Sequence, residues 1–305
     1  MKNDKNFEIS KFRSPDLGYA PVYGWMWNGQ LSDERIEEQI LEMKRLGIRA
    51  FYIIPEPQRF RPASIPTLME PDYLTDAYFC RYKFAMEKAR ELGMECWLYD
   101  EGGWPSGGAC GMVLIEHPEY ARRVLAFRNV TVKAGESYTM TENTAAAFIN
   151  GDEMIQNGAV FSSDTEVTEY YSKRDAWSVP GKPEYPDITM LGATREFIKM
   201  THEKYKPYLS ELFGSTITMV FTDEPTGPEL PFREELCEIY EKEYGESILP
   251  YLPILRGNVP ATTENNRPLM RWYDICSRMF SENFLGECKK WSNENGLLFT
   301  GHLNC

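Results

Sequence analysis

Lys44-Arg45-Leu46-Gly47-Ile48-Arg49-Ala50-Phe51-Tyr52-Ile53-Ile54 joins the end of an amphipathic helix, a glycine and an apolar strand. The helix before it, 33–46, carries Ile36, Ile40 and Met43 at helical spacing and so has one inward face. Ser32 stands where a cap belongs, and Asp33 and Glu34 fall in the first turn, where the helix dipole favours acids. Gly47 supplies the left-handed conformation that closes a helix. The same order recurs: helix 76–92, Gly93 and Met94–Tyr99; helix 194–213, Gly214 and Ile217–Thr222; helix 270–295, Gly296 and Leu297–His302. A first strand, Pro21–Trp27, precedes them all. Near-continuous apolar strands alternating with helices predict a parallel sheet covered on both faces, hence an α/β fold.

The spacing also shows where regularity breaks. Gly47 and Gly93 are 46 residues apart, close to one βα unit, but Gly93 and Gly214 are 121 apart. The surplus lies at about 125–180, where residues alternate in polarity and Asn150-Gly151 signals a hairpin. We therefore expect a β-rich insertion after the third strand. Gly214 to Gly296, at 82 residues, leaves room for an extra loop or helix around Pro250–Pro268. Five βα strands are three short of a (β/α)8 TIM-type barrel. The expectation is the N-terminal five strands of such a barrel, in a fragment of a longer chain. Its parts would be 1–124 (strands 1–3), 125–186 (insertion) and 187–305 (strands 4–5). A chain rarely ends on a buried central strand, because its last backbone groups would lack partners.

The chain has 305 residues, 13% of them aromatic, and a net charge of −13. That balance argues against nucleic acid and anionic membrane as partners, since both demand basic surface. Seven cysteines, at 80, 96, 110, 237, 276, 288 and 305, form no CxxC pair, which suggests free thiols in a reducing compartment. No apolar run is long enough to span a membrane, and Met1–Lys5 leads into no signal segment. These features read as cytoplasmic.

Chemistry gathers at two strand ends. Trp97-Leu98-Tyr99-Asp100-Glu101-Gly102-Gly103-Trp104-Pro105-Ser106-Gly107-Gly108 is an apolar strand that stops on two acids and a glycine-rich loop. Thr218-Met219-Val220-Phe221-Thr222-Asp223-Glu224-Pro225 repeats the pattern. Unpaired buried carboxylates are costly, so stability alone does not explain acids there. Acids and aromatics on glycine-rich loops suit sugar chemistry: rings stack on C–H bonds, while carboxylates bond hydroxyls or move protons. No zinc spacing, no phosphate-binding glycine fingerprint and no Gly-x-Ser-x-Gly elbow is present. No metal or other cofactor is required, although clustered carboxylates also suit Ca²⁺ or Mg²⁺ through oxygen.

Taken together, these motifs resemble the barrel domain of the α-L-rhamnosidase-like glycoside hydrolases, family 106 and uncharacterised relatives. The matching residues are Trp25 and Trp27, Tyr99-Asp100-Glu101 with Gly103-Trp104-Pro105-Ser106-Gly107, Thr222-Asp223-Glu224-Pro225, and Thr300-Gly301-His302. The likeness covers most of 20–125 and 187–305. It implies a long multidomain chain with the active site at the C-terminal face of a barrel. It also implies that further barrel strands and accessory β domains lie in the full-length protein, and that the substrate is a carbohydrate, such as a terminal L-rhamnose.

Glu224, just past the fourth strand, is the first choice for a catalytic proton donor; the alternative is a capping or salt-bridged acid before Pro225. Glu101 is the candidate second carboxylate, unless that group lies beyond Cys305. Asp223 and Asp100 point to the opposite side of an extended backbone from their neighbours, and are candidate sugar ligands. Trp104 is a candidate stacking platform, or else a lid on the rim. Glu56, held between Pro55 and Pro57, and His302, after Gly301, stand at equivalent strand ends as substrate contacts. Trp27 could line the mouth or fill the barrel, and Asn28 could bond a hydroxyl. His117 and His202 read as ordinary surface residues. Two rival functions remain: a non-catalytic carbohydrate-binding or truncated barrel, and a divalent-metal-dependent barrel lyase or aldolase.

Overall fold

The computed structural model describes residues 9–14, 19–60, 67–178 and 183–303. Met1–Lys5, Cys305 and positions 179–182 of the expected insertion lie outside the described residues. The first sheet is parallel throughout and contains β1 (Val22–Trp27), β2 (Ala50–Pro55) and β3 (Glu95–Tyr99). The strands β4 (Arg123–Val132), β5 (Thr144–Ile149), β6 (Glu153–Ile155) and β7 (Thr165–Arg174) form a separate antiparallel sheet. The chain then returns to the first sheet as β8 (Ile217–Asp223) and β9 (Leu298–His302). The strand orders are β1-β2-β3-β8-β9 and β4-β7-β5-β6. Thus 123–174 leaves the parallel sheet after β3 without disturbing its order.

The helices form for the reasons their sequences give. Ser32 caps Asp33–Arg45, accepting from the Arg35 N–H at 3.4 Å, and Thr75 caps Asp76–Glu91 in the same way. Gly47, Gly93, Gly214 and Gly296 all have positive φ at the helix-to-strand turns. The run expected as one helix over 194–213 is instead divided into Leu191–Met200 and His202–Leu209. The break sits at Thr201, whose hydroxyl donates to the Phe197 carbonyl at 2.8 Å and competes with the helical ladder. The long run 270–295 is Arg267–Met279 and Glu287–Glu294, joined by a π-helical segment, Phe280–Gly286.

The two faces of the parallel sheet differ. Phe51, Ile53, Cys96, Leu98, Ile217 and Val220 pack beneath the helices, against Tyr78, Tyr82, Met86, Tyr205 and Leu209. Trp27 belongs to this helix-facing layer, meeting Tyr78 and Tyr82 edge-on at 5.9 and 5.7 Å. The opposite face carries a half-buried aromatic stack: Tyr52 lies on Phe221 at 4.8 Å and on Tyr99 at 6.0 Å. Cover on both faces was the expectation; among the described residues only one face lies under helices. Five parallel strands of mixed α/β order are present, and β1 and β9 are the sheet's edges.

The antiparallel sheet has its own support. Leu125, Phe148 and Tyr170 pack on Phe232, Leu236, Tyr240 and Trp272, from the loop and helices that follow β8. Asn150 and Gly151, both at positive φ, turn β5 into β6. The Leu125 N–H donates to the Leu230 carbonyl, and Phe232 N–H to that of Arg123, stitching the sheet to the segment after β8. No helix among the described residues is long and apolar enough to cross a membrane.

Gly301 shows how tightly β8 and β9 approach. A Cβ there would run into the Thr222 carbonyl oxygen and lie 2.6 Å from its Cγ2. Because backbone cannot swing aside as a side chain can, Gly301→Ala should cost about 1–3 kcal/mol of unfolding free energy. Urea denaturation of the two proteins measures it; an unchanged midpoint would show that β9 is not held in this register.

Candidate active site

Parallel register brings three strand ends to one edge. Tyr99 pairs with Phe221, and Asp223 pairs with His302, so β3, β8 and β9 finish side by side. The Tyr99 hydroxyl donates to Asp223 Oδ2 at 2.8 Å. Burial and the Asp223 carboxylate push the Tyr99 phenol well above its ordinary value, so it remains a donor. On the other side of Asp223, His302 Nδ1 stands 3.5 Å from Asp223 Oδ1 and 3.7 Å from Glu224 Oε1. Asp223, Glu224 and His302 therefore converge.

Glu224 has φ +48°, a left-handed conformation unusual for a side chain larger than glycine and further constrained by Pro225. Its N–H donates to the His302 carbonyl at 2.7 Å, and its own carbonyl accepts from Thr226 Oγ1 at 2.9 Å. Such a conformation costs of order 1–3 kcal/mol and persists only where surroundings enforce it. The carboxyl is one-third exposed, so it is both fixed and reachable.

The loop after β3 is built around Glu101. Its two oxygens accept from five backbone N–H groups: Gly102 at 2.8 Å, Gly107 at 3.3 Å, Gly108 at 2.9 Å, Ala109 at 2.7 Å and Cys110 at 2.7 Å. Burial raises its pKa, opposed by the N–H groups of Gly102, Cys110, Ala109 and Gly108. Glu101 was expected to face the mouth as a second carboxylate. The structure corrects this: the residue is buried, both oxygens are occupied, and it holds the loop shut from inside.

Ser106 links that loop to β8. Its Oγ donates to Asp100 Oδ1 at 2.6 Å and accepts from the Asp223 N–H at 2.8 Å, while its own N–H donates to the Asp223 carbonyl at 2.7 Å. Tyr185 donates its hydroxyl to the Ser106 carbonyl. Asp100 is fully buried and so supports the site rather than touching substrate as a sugar ligand.

The remaining candidates lie farther out. Asn28 Nδ2 donates to Glu56 Oε2 at 3.4 Å, beyond the ends of β1 and β2. Glu56 is buried, and β2 stands two strands from β8, about 10 Å across the sheet. Trp104 is half-buried and borders a cleft with Trp177, Pro183 and Tyr185. Trp27 is 1% exposed, which corrects the expectation that it contacts substrate or fills the barrel. His202, expected at the surface, is wholly buried against Phe197 and Trp291. His117 is partly exposed beside Glu119 and Glu196. Tyr99, Ser106 and His202 were missed as site residues. Signals existed for all three: a tyrosine one step before the acids, a lone hydroxyl on a glycine loop, and a histidine in register with Ile198, Tyr205 and Leu209. Among the described residues no three His, Cys, Asp or Glu side chains group to hold a metal ion.

Comparison with known proteins agrees with this arrangement of strands. The structure superposes on the rhamnosidase from Novosphingobium sp. PP1Y with a TM-score of 0.65, over 96% of this chain and 47% of that one, at 12% identity. A curated protein of Formosa agariphila named "Putative beta-glucuronidase" is 25% identical over 129 residues, 42% of this chain and 10% of that protein. Both of these proteins carry the names of glycoside hydrolases. At 12% identity the structural likeness shows the fold alone, and the chain spans about half the length of the rhamnosidase. No protein-family model matches the chain.

Two substitutions test this geometry. Ser106→Ala strands a buried Asp223 N–H and an Asp100 oxygen, and should destabilise by about 1–3 kcal/mol. Glu101→Gln places an amide NH₂ among five N–H donors. It should cost at least about 2 kcal/mol and open the 102–110 loop to proteolysis. Calorimetry and limited proteolysis read both; a protease-resistant Glu101→Gln loop would sink the structural role given to Glu101.

Proposed function

We propose that the chain carries the proton-donor side of a glycoside hydrolase active site, with Glu224 as general acid. The observation that supports this most is the strained, enforced backbone of Glu224 at the C-terminal end of a parallel strand. There its partly exposed carboxyl meets His302 and Asp223. A carboxylic acid at that point can protonate a departing glycosidic oxygen. Asp223, held by Tyr99, would bond a sugar hydroxyl or orient His302. Asn28 and Trp104 would contribute the flanking sugar contacts, with the buried Glu56 accepting from Asn28.

Glycosidases of this type need a second carboxyl to attack or to activate water. Glu101 is occupied, so the role falls to a group elsewhere, such as one supplied by the rest of a closed (β/α)8 barrel. The half-covered aromatic face of the parallel sheet is the surface that barrel-completing strands would enclose. Likeness in fold to a rhamnosidase, together with the strand-end motifs, favours a terminal deoxysugar such as L-rhamnose over other glycosides. The non-catalytic carbohydrate-binding barrel is less favoured, because binding alone gives no reason to hold Glu224 in a strained conformation. The metal-dependent lyase or aldolase is less favoured because Glu101 is taken up by backbone N–H groups and no three His, Cys, Asp or Glu side chains among the described residues group to hold a metal ion.

Glu224→Gln decides the matter. If Glu224 is the acid, the variant in the full-length protein should lose about 10²–10⁴-fold in kcat/KM on glycosides with poor leaving groups. It should retain much more on aryl glycosides whose leaving groups need no protonation. Equal loss on both would reassign Glu224 to attack or binding, and full activity on both would leave it a structural acid.

A further inference from the structure

Behind the candidate site, Asp100 and His202 lie side by side with no solvent exposure, and Asp100 Oδ2 is 3.8 Å from His202 Nε2. Neither atom has a hydrogen-bond partner among the described residues. The hydrogens around them can be counted. Thr201 Oγ1 donates its single hydrogen to the Phe197 carbonyl. With that hydrogen so placed, Oγ1, 2.9 Å from His202 Nδ1, accepts from it, which assigns the imidazole hydrogen to Nδ1. Ser106 Oγ donates to Asp100 Oδ1, so that oxygen is an acceptor. What remains is Oδ2 facing Nε2. With no hydrogen between them, two buried lone pairs would oppose each other, one of them on a full charge.

One proton therefore belongs between the two groups. On Nε2 it would make a buried ion pair whose carboxylate is otherwise supported only by the Ser106 and Thr222 hydroxyls, and such pairs regain their desolvation cost only when further hydrogen bonds satisfy them. On Oδ2 it leaves both groups neutral. The titratable neighbours of Asp100 are Glu101, Asp223, Tyr99, Tyr185, Tyr205 and Cys288, none of them a cation. The first two carboxylates oppose a third negative charge.

We propose that Asp100 is held as a neutral carboxylic acid with its hydrogen on Oδ2, turned toward His202 Nε2, and that this proton makes both positioning residues for the end of β8. Through Ser106, the acid's other oxygen fixes the Asp223 backbone, and with it the turn that presents Glu224. Burial acts in the same direction, pushing the Asp100 carboxyl well above 3.8 and drawing His202 from 6.5 down to about 3.

The proton count gives a test independent of the glycosidase reading, because it needs no substrate. The folded pair holds one proton; an unfolded pair holds one between about pH 3.8 and 6.5 and none above. The pair's contribution to stability is thus flat across that window and falls as pH rises beyond it, about tenfold in the folding constant per pH unit. Asp100→Asn keeps a hydrogen turned toward Nε2 and the acceptor for Ser106 but removes the titration. Its folding constant should instead fall about tenfold per unit as pH drops below 6.5, and stay flat above. The wild-type to variant ratio, from urea unfolding at stepped pH, should therefore decline about tenfold per unit from about pH 4 upward. A ratio that is flat above pH 4 would show Asp100 to be an ordinary ionised carboxylate and overturn the shared proton. Nitrogen-15 spectra of the three histidines, assigned with His117→Gln and His302→Gln, locate the proton. His202 should show a protonated Nδ1 and a bare Nε2; both nitrogens protonated would overturn the neutral acid.

Discussion

Five backbone N–H groups pointed at one buried carboxylate hold the site in shape. The segment 102–108 contains four glycines and would sample a wide ensemble if left alone. Glu101 collapses that ensemble by giving the loop an anion to wrap, the same physics that lets successive N–H groups cradle a phosphate. Once the loop is wrapped, Ser106 is delivered to Asp223, and Tyr185 can reach the Ser106 carbonyl. The strand end that carries Glu224 is thereby braced from β3, and from β9 through the Glu224 N–H to His302 carbonyl bond. The acid inside the loop does not do chemistry; it allows a neighbouring acid to be placed.

Much of the architecture was legible because it rests on local rules. The glycine after each helix marked the turn into each parallel strand, and Ser32 with Asp33 marked a helix start. The alternating run with Asn150-Gly151 announced strands of a different kind. What was not legible depended on tertiary partners. The helix divides at Thr201, where the hydroxyl joins the N–H on the Phe197 carbonyl, a detail that periodicity cannot reveal. His202 was misplaced to the surface because its residue type outweighed its register, yet Ile198, His202, Tyr205 and Leu209 share one face. Trp25 and Trp27, two residues apart on β1, fall on one side of the strand, but sequence alone could not say whether that side met helices or the sheet's other face.

The acids show the same division. Four carboxylates at two strand ends look equivalent in sequence, and the structure gives them three environments. Asp100 is sealed in the interior, Glu101 is saturated by backbone donors, and Asp223 and Glu224 remain half-open beside His302. Alternation along a strand predicts that neighbours diverge but not which one finds solvent. The residues immediately after each pair decide that. Glycines after Glu101 free the N–H groups that capture it, whereas Pro225 after Glu224 has no N–H to offer and restricts the turn. Glu224 thus keeps a carboxyl that its own loop cannot consume.

The two faces of the parallel sheet show the same contrast between saturated and open groups across the whole chain. The helix-facing layer is saturated with apolar and aromatic contacts, while Tyr52, Trp97 and Phe221 on the other face are stacked but only partly covered. In a closed barrel such side chains fill the interior in layers contributed by strands from around the ring. On the proposed barrel reading, the five strands would supply part of those layers, alongside the braces that hold Glu224. On that reading a proton donor would be fixed within these strands, while the group that attacks or activates water would come from across the mouth. Dividing the two roles between opposite arcs suits a reaction that needs carboxyls on two sides of one bond.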